Sequence, residues 1–201
     1  SHKLVKQDLL NFLEQAEQAT QIAMNNTSRA AELVQNFKQL AKVQEKVPKE
    51  AFELTQLLNE SIIEAKQKCG ENIEWRKGKF SRKVSCTGYP LLLQESLVSI
   101  IHNAWLHGLK LGEGIINCDI AITNDKEITI IIENSGKPIA EESQARIFEP
   151  FYTDRLTEDC TGLGLYIVHN IVVNQMNGHI IVAKSELGGA RFEITFPRDI
   201  F

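Results

Sequence analysis

The chain has 201 residues, 43% hydrophobic and 24% charged, with a formal net charge of −4. That composition supports a packed core, excludes a disordered polyelectrolyte and argues against a nucleic-acid surface, which carries a basic stripe. No apolar run approaches the roughly 18 residues of a membrane span and no signal peptide is recognisable, so a cytoplasmic chain without direct membrane contact is expected.

The first 45 residues contain neither Pro nor Gly. Apolar or small residues fall at Leu9, Leu13, Ala16, Thr20, Ala23, Thr27, Ala30, Val34, Phe37 and Ala41, at alternating spacings of four and three. This is the pattern of helices packed in a bundle or coiled coil. A helix of about 40 residues is roughly 60 Å long, more than a small domain covers. Leu10, Phe12, Ile22, Met24 and Leu40 widen the stripe, which favours a four-helix bundle over a two-stranded coil. The alternative is a long helix packed on its own domain. Pro48 in Lys46-Val-Pro-Lys49 closes the helix, since proline lacks the N–H that would continue it.

Short mixed elements follow. Phe52 and Leu54 read as a strand, and Leu57 to Lys68 as an amphipathic helix. Ile73-Glu-Trp75 and Lys83-Val-Ser-Cys86 read as strands. Pro90 to His107 is helical, with proline at its start. Ile115 to Thr123 and Ile128 to Glu133 pair across Asn124-Asp-Lys. Residues 162–176 form another helix. Gly178 to Lys184 and Ala190 to Phe196 form a closing hairpin turned at Leu187-Gly-Gly189. The order implies an α+β fold: a two-layer α/β sandwich with a mixed, mainly antiparallel sheet covered by helices, preceded by one long α-helix. Two units are expected, residues 1–46 and residues 50–201. Cys69, Cys86, Cys118 and Cys160 are widely spaced and read as buried or incidental thiols, with neither zinc nor a disulfide framework.

The most informative segment is Cys160-Thr-Gly162-Leu163-Gly164-Leu165-Tyr-Ile-Val168. Glycines at a helix start let backbone N–H groups approach an anion, and the helix dipole favours negative charge there. Alone, the motif reads equally as a phosphate cradle or as a flexible loop entering a core helix. It stands in a fixed order with three others: Ser99-Ile-Ile-His-Asn103-Ala-Trp-Leu-His107 on a helix, Glu133-Asn134-Ser135-Gly136-Lys-Pro-Ile139 leaving a strand, and Ile147-Phe148-Glu-Pro-Phe151-Tyr-Thr153. Gly188-Gly189-Ala-Arg-Phe192 comes last. The set resembles the N, G1, F, G2 and terminal glycine boxes of the sensor histidine kinases, whose ATP-binding domain belongs to the superfamily shared with DNA gyrase and MutL. The resemblance covers about residues 50–198, and the long helix resembles the second helix of the kinase dimerisation hairpin.

The resemblance implies ATP and Mg²⁺ as cofactors and gives each box a role. Asn103 is the catalytic and metal residue: its side-chain carbonyl is a hard ligand for a Mg²⁺ that bridges the phosphates. Ser99 replaces the family's other N-box Asn. His107 packs on adenine or approaches a phosphate, whereas Leu106 only packs. Asn134 stands where the family has an adenine-reading Asp; with the amide correctly flipped its carbonyl is still an acceptor, though it lacks the charge. Gly136 leaves room for the base, Pro138 replaces a later glycine, and Ile139 ends the box beside the nucleotide. Glu133 is expected to face solvent or to be a strand-edge charge. Residues 140–161 correspond to the ATP lid, with Phe148 and Phe151 as anchors and Arg155 either near the phosphates or on solvated surface. Cys160 replaces the first glycine of its box, and the N–H groups of Gly162, Leu163, Gly164 and Leu165 form the cradle.

In the family, ATP phosphorylates a His on the first helix of the dimerisation hairpin. No such box occurs here: His2 precedes the long helix, and His102, His107, His169 and His179 lie in the ATP domain. The simplest account is a chain beginning after that first helix. The resemblance then implies the catalytic portion of a two-component kinase that transfers the γ-phosphoryl to the missing His, for relay to an Asp of a response-regulator receiver domain, with little self-phosphorylation of this chain. A homodimer through the N-terminal helix is expected, and many such kinases are membrane-anchored. The alternatives are a serine-directed kinase of the same superfamily, which usually lacks the long helix, and a degenerate nucleotide-binding or interaction module without turnover.

Overall fold

The computed structural model describes residues 6–44, 47–78, 83–109, 112–122, 124, 126–153 and 161–199. Helix α1 (Lys6–Gln44) is one unbroken helix. Two threonines on its predicted stripe return their hydroxyls to the helix backbone, Thr20 to Ala16 O at 2.7 Å and Thr27 to Ala23 O at 2.8 Å. Leu9, Leu10, Phe12, Leu13, Ile22, Met24 and Val34 all remain exposed, Phe12 by 64%. No helix among the described residues is long and apolar enough to cross a membrane.

After β1 (Glu50–Glu53), helix α2 (Leu54–Lys68) begins three residues before the expected start. Glu53 is the reason: its carboxylate accepts from the backbone N–H of Thr55 at 2.8 Å and of Gln56 at 3.0 Å, a cap that stops the strand and opens the helix. Leu54 is therefore helical, not a strand residue. The chain continues as β2 (Ile73–Lys77), β3 (Ser85–Gly88) and α3 (Pro90–Asn103), with proline in the first turn as expected. The last turn of α3 widens into a π-turn over Ala104–Gly108, so the helix is not a regular α-helix to His107. Then come β4 (Gly114–Ile122), β5 (Glu127–Asn134), the short α4 (Glu141–Gln144), α5 (Gly164–Asn170) with a π-turn over Ile171–Gln175, β6 (His179–Lys184) and β7 (Ala190–Pro197).

The main sheet has the order β2-β4-β5-β7-β6. Strand β2 runs parallel to β4 and the other pairings are antiparallel. Strands β1 and β3 form a separate antiparallel ribbon. Alternation sets the faces: Ala190, Phe192, Ile194 and Phe196 of β7 are buried between half-buried neighbours. With Ile128, Ile130 and Ile132 of β5 they meet Leu54, Leu58 and Ile62 of α2, Leu93, Leu97, Ile100 and Ile101 of α3, and Ile167 and Val168 of α5 in one core. The two-layer α+β sandwich, mixed and mainly antiparallel, is thus as the sequence implied.

One residue departs from expectation on the other face of the sheet. Glu133 is neither solvent-facing nor a loose edge charge; it is only 8% exposed. It lies between Asn117 of β4 and Arg191 of β7 in the ladder. Its carboxylate accepts from Asn117 Nδ2 at 2.9 Å and Ser185 Oγ at 2.8 Å, and Arg191 approaches at 3.5 Å. A carboxylate on a central strand needs such partners because burial without them is costly. Nearby, the hydroxyls of Thr129 and Thr195 bond across the strands at 2.8 Å.

A candidate nucleotide cleft

A cleft of about 500 Å³ opens between the end of α3, the loop after β5 and the start of α5. Each wall has a local cause. The loop after β5 docks on the π-turn, where the Lys137 N–H donates to Gly108 O at 2.7 Å. That approach requires Gly136, whose Cβ, if present, would stand 1.8 Å from Gly108 O. Gly136 thus buttresses the wall from outside the cleft lining. Asn134 is completely buried in the cleft floor. Its Oδ1 accepts from Ala190 N–H at 2.8 Å, its Nδ2 reaches Ala104 O at 3.4 Å, and its backbone carbonyl accepts from Gly189 N–H at 3.1 Å.

The opposite wall joins α3 to α5. Ser99 and Asn103 are one helical turn apart on the cleft face of α3. A Cβ on Gly164 would lie 3.2 Å from Ser99 Oγ and 3.6 Å from Asn103 Nδ2, so both side chains press on the start of α5. Helix α5 has Leu163 at its N-cap and no side-chain cap. Gly164 and Leu165 of its first turn line the cleft, and N–H groups in a first turn have no acceptor within their own helix. Leu163 is buried and its carbonyl takes the Ile167 N–H at 2.9 Å, so it supports the turn from below.

The lid base has its own device. Gly162 and Phe151 both adopt left-handed conformations, with φ of 67° and 65°. They are tied by a bond from Phe151 N–H to Gly162 O at 3.0 Å. A Cβ on Gly162 would fall 2.5 Å from the Phe151 carbonyl carbon, so only glycine fits. Phe148 packs on the core, its ring 5.4 Å from that of His169, as an anchor should. Phe151 does not: the turn swings its side chain outward and 65% of it is exposed. Tyr152 takes the anchoring place instead, its hydroxyl donating to Ser143 at 2.9 Å and its ring under Arg146. Arg155 and Cys160 lie outside the described residues.

Asn103, His107, Asn134, Ile139, Gly162, Gly164 and Leu165 thus line one cleft, with Ser99, Leu106 and Pro138 beside them. Sequence reasoning missed Glu64 and Lys68 on α2, Glu95 on α3, and Lys137, Ser143 and Tyr152, which also line it. Glu95 was findable: Glu95, Ser99 and Asn103 repeat every four residues and so share a helix face. Lys68, held by Glu64 at 2.9 Å, carried no signal because α2 reaches the cleft only through tertiary packing. His102 rests against Trp105, and burial, then Lys68 and His107, push its imidazole below the ordinary value.

Among the described residues no cluster of His, Cys, Asp or Glu is suited to hold a metal alone. The donor set instead fits a hard cation shared with phosphate and water. Asn103 Nδ2 donates to Ser99 O at 3.0 Å, which leaves the amide oxygen as the atom to meet such an ion.

The family described as histidine kinase-, DNA gyrase B- and HSP90-like ATPase matches residues 88–200, more than half of the chain. Among curated relatives, the sensor protein RstB of Escherichia coli is 36% identical over 111 residues, covering 53% of this chain and 24% of that one. Sporulation kinase A of Bacillus subtilis is 29% identical over 188 residues, covering 92% of this chain and 30% of that one. The chain therefore spans under a third of the length of these relatives. The solved complex of histidine kinase ThkA with the response regulator protein TrrA shares the fold with a TM-score of 0.70 at 23% identity, covering 86% of this chain and 49% of that one.

Proposed function

Since the chain belongs to the histidine kinase-, DNA gyrase B- and HSP90-like ATPases and carries an ATP-binding domain of the sensor histidine kinase kind, we propose that it is the catalytic portion of a two-component kinase. It binds Mg²⁺–ATP and directs the γ-phosphoryl to a His on a dimerisation helix, for relay to an Asp of a response-regulator receiver domain. The observation that carries this reading is the meeting of Asn103 and Ser99 with the uncapped start of α5 at Gly164. One side brings an oxygen ligand for a cation and the other brings N–H groups and a favourable dipole for phosphate.

In this reading Asn103 holds Mg²⁺, which when bound neutralises phosphate charge. The N–H groups of Gly162 to Leu165 hold the phosphates, Ser99 takes a metal-bound water, and Ile139 packs beside the base. His107 borders the same nucleotide, and Arg155 on the lid adds positive charge. Catalysis of this kind is mostly positioning. We further propose that residues 1–46 are the second half of a dimerisation hairpin and residues 50–201 the catalytic domain. The uncovered stripe of α1 supports a homodimer through that helix, and the ThkA–TrrA complex supports a receiver domain as partner.

Calorimetric titration with a non-hydrolysable ATP analogue, with and without Mg²⁺, tests the site. Binding strengthened by Mg²⁺ is expected. Absence of binding under both conditions refutes the reading in favour of a degenerate interaction module, to which the changes at Ser99, Asn134 and Pro138 point.

A further inference from the structure

Glu133 and Asn134 are consecutive on β5 and so point to opposite faces of the sheet. Asn134 lies in the cleft floor, and Glu133 is buried on the far face. Both hold the same turn. From the far face, a carboxylate oxygen of Glu133 accepts from the Ser185 hydroxyl at 2.8 Å. Ser185 opens the turn between β6 and β7: its Oγ accepts the Leu187 N–H at 3.0 Å, its carbonyl accepts the Gly188 N–H at 3.0 Å, and its own N–H donates to Gly189 O at 2.8 Å. From the cleft side, the same turn delivers the Gly189 N–H to Asn134 O at 3.1 Å and the Ala190 N–H to Asn134 Oδ1 at 2.8 Å. The two backbones touch there, since a Cβ on Gly189 would stand 2.4 Å from Asn134 O. Ala190 itself lines the cleft. The turn is thus gripped from both faces, and an interior packed this closely transmits a displacement from one face to the other.

We propose that Glu133 is a positioning residue for the nucleotide cleft: acting through Ser185, it fixes where the turn of residues 185–190 sits, and thereby where Asn134 and Ala190 stand in the floor. The inference rests on the nucleotide-site reading and adds a residue that is not among those lining the cleft. Glu133 has two further partners, Asn117 Nδ2 at 2.9 Å and Arg191 Nη1 at 3.5 Å. Asn117 lies on β4, away from the turn, so its bond supports the sheet without entering this route. Arg191 also holds Glu193 at 2.6 Å, so a Glu133 variant does not strand it.

The test is calorimetric titration of the full chain with a non-hydrolysable ATP analogue and Mg²⁺, well below the melting temperature, so that lost stability alone leaves the dissociation constant unmoved. Ser185→Ala and Glu133→Ala are each expected to weaken binding on the order of tenfold, the scale of a lost hydrogen bond to a charged group. The double variant is expected to lose no more, because both substitutions cut one link. Glu133→Gln, which keeps an oxygen for the Ser185 hydroxyl, is expected to recover most of that affinity, and Asn117→Ala to bind as the parent does. Ser185→Ala keeps the inference testable where Glu133→Ala does not fold. Hydrogen exchange without nucleotide gives a reading independent of binding: the Gly189 and Ala190 amides are expected to exchange faster in Ser185→Ala than in the parent. Parent-like affinity in Ser185→Ala, or in a folded Glu133→Ala, overturns the inference. So does a loss in Asn117→Ala equal to that in Ser185→Ala, which would mark a general loosening of the sheet. Unchanged exchange at both amides overturns it while the nucleotide site stands on its binding; no binding by the parent refutes the site and this inference with it.

Discussion

Two glycines two residues apart separate backbone geometry from ligand approach. Gly162→Ala places a methyl at φ 67°, 2.5 Å from the Phe151 carbonyl carbon and 2.8 Å from Tyr152 O. The left-handed conformation costs a non-glycine residue about 1–2 kcal/mol. Relieving a backbone overlap adds about 1–3 kcal/mol, and the bond between Phe151 and Gly162 stretches with it. A total near 3 kcal/mol corresponds to a fall of about 6–12 °C in melting temperature for a chain of this size. Gly164→Ala differs: its φ is not left-handed, its Cβ meets Ser99 Oγ at 3.2 Å, and alanine is the better helix former by about 1 kcal/mol. It should melt within about 3 °C of the parent, at roughly 2–4 °C per kcal/mol. Its methyl points at Ser99 and Asn103, so nucleotide affinity should fall on the order of tenfold, as when phosphate hydrogen bonds are disturbed. Calorimetric melting and nucleotide titration of both variants read the two effects. A Gly162→Ala protein melting within 2 °C of the parent, roughly the effect of 1 kcal/mol or less, refutes the argument from the clamp.

Asn103→Ala should abolish the Mg²⁺-dependent part of nucleotide binding while changing stability by less than about 1 kcal/mol, since it removes only a bond to the helix's own backbone; paired titrations and melts check it. Phe12→Glu with Leu13→Glu puts charge into an exposed apolar stripe and should convert a self-associating chain to monomer in sedimentation velocity, with the melting of the ATP-binding domain unchanged. His102 has a folded pKa below its ordinary 6.5. The folded state then binds fewer protons than the unfolded one, so stability is fully present above pH 6.5 and declines as pH falls toward the lowered folded value. His102→Gln should flatten that part of the pH–stability curve; an unchanged slope in denaturant melts between pH 7 and 5 counts against the assignment.

The fold was legible because its elements obey simple periods. The alternation of β7 and the paired runs of β4 and β5 place strands without ambiguity, and the spacing of Leu9 to Ala41 places α1. The misses have physical causes. Leu54 looked like part of a strand because capping by the carboxylate of Glu53 depends on where the chain turns, and Glu133 looked exposed because its partners Ser185 and Arg191 lie more than fifty residues away. Phe151 looked like an anchor by residue type, but a positive φ decides where its ring points. The cleft was legible in its glycines and amides. The orientation of the Asn134 amide was not, since it is set by the Ala190 N–H and not by the residue's identity.

The order β2-β4-β5-β7-β6 leaves two open edges, and they carry a warning to neighbouring chains. Along β2 the exposed Glu74, Arg76 and Lys77, with Arg76 and Glu74 paired at 2.7 Å, would put charges beside any strand that tried to add to the sheet. Strand β6 exposes Ile181 but ends in His179 and Lys184. Such ionic fringes discourage edge-to-edge growth into aggregates. In the proposed homodimer the sheet edges thus offer a second copy charge, and the uncovered apolar flank of α1 offers the surface to be buried.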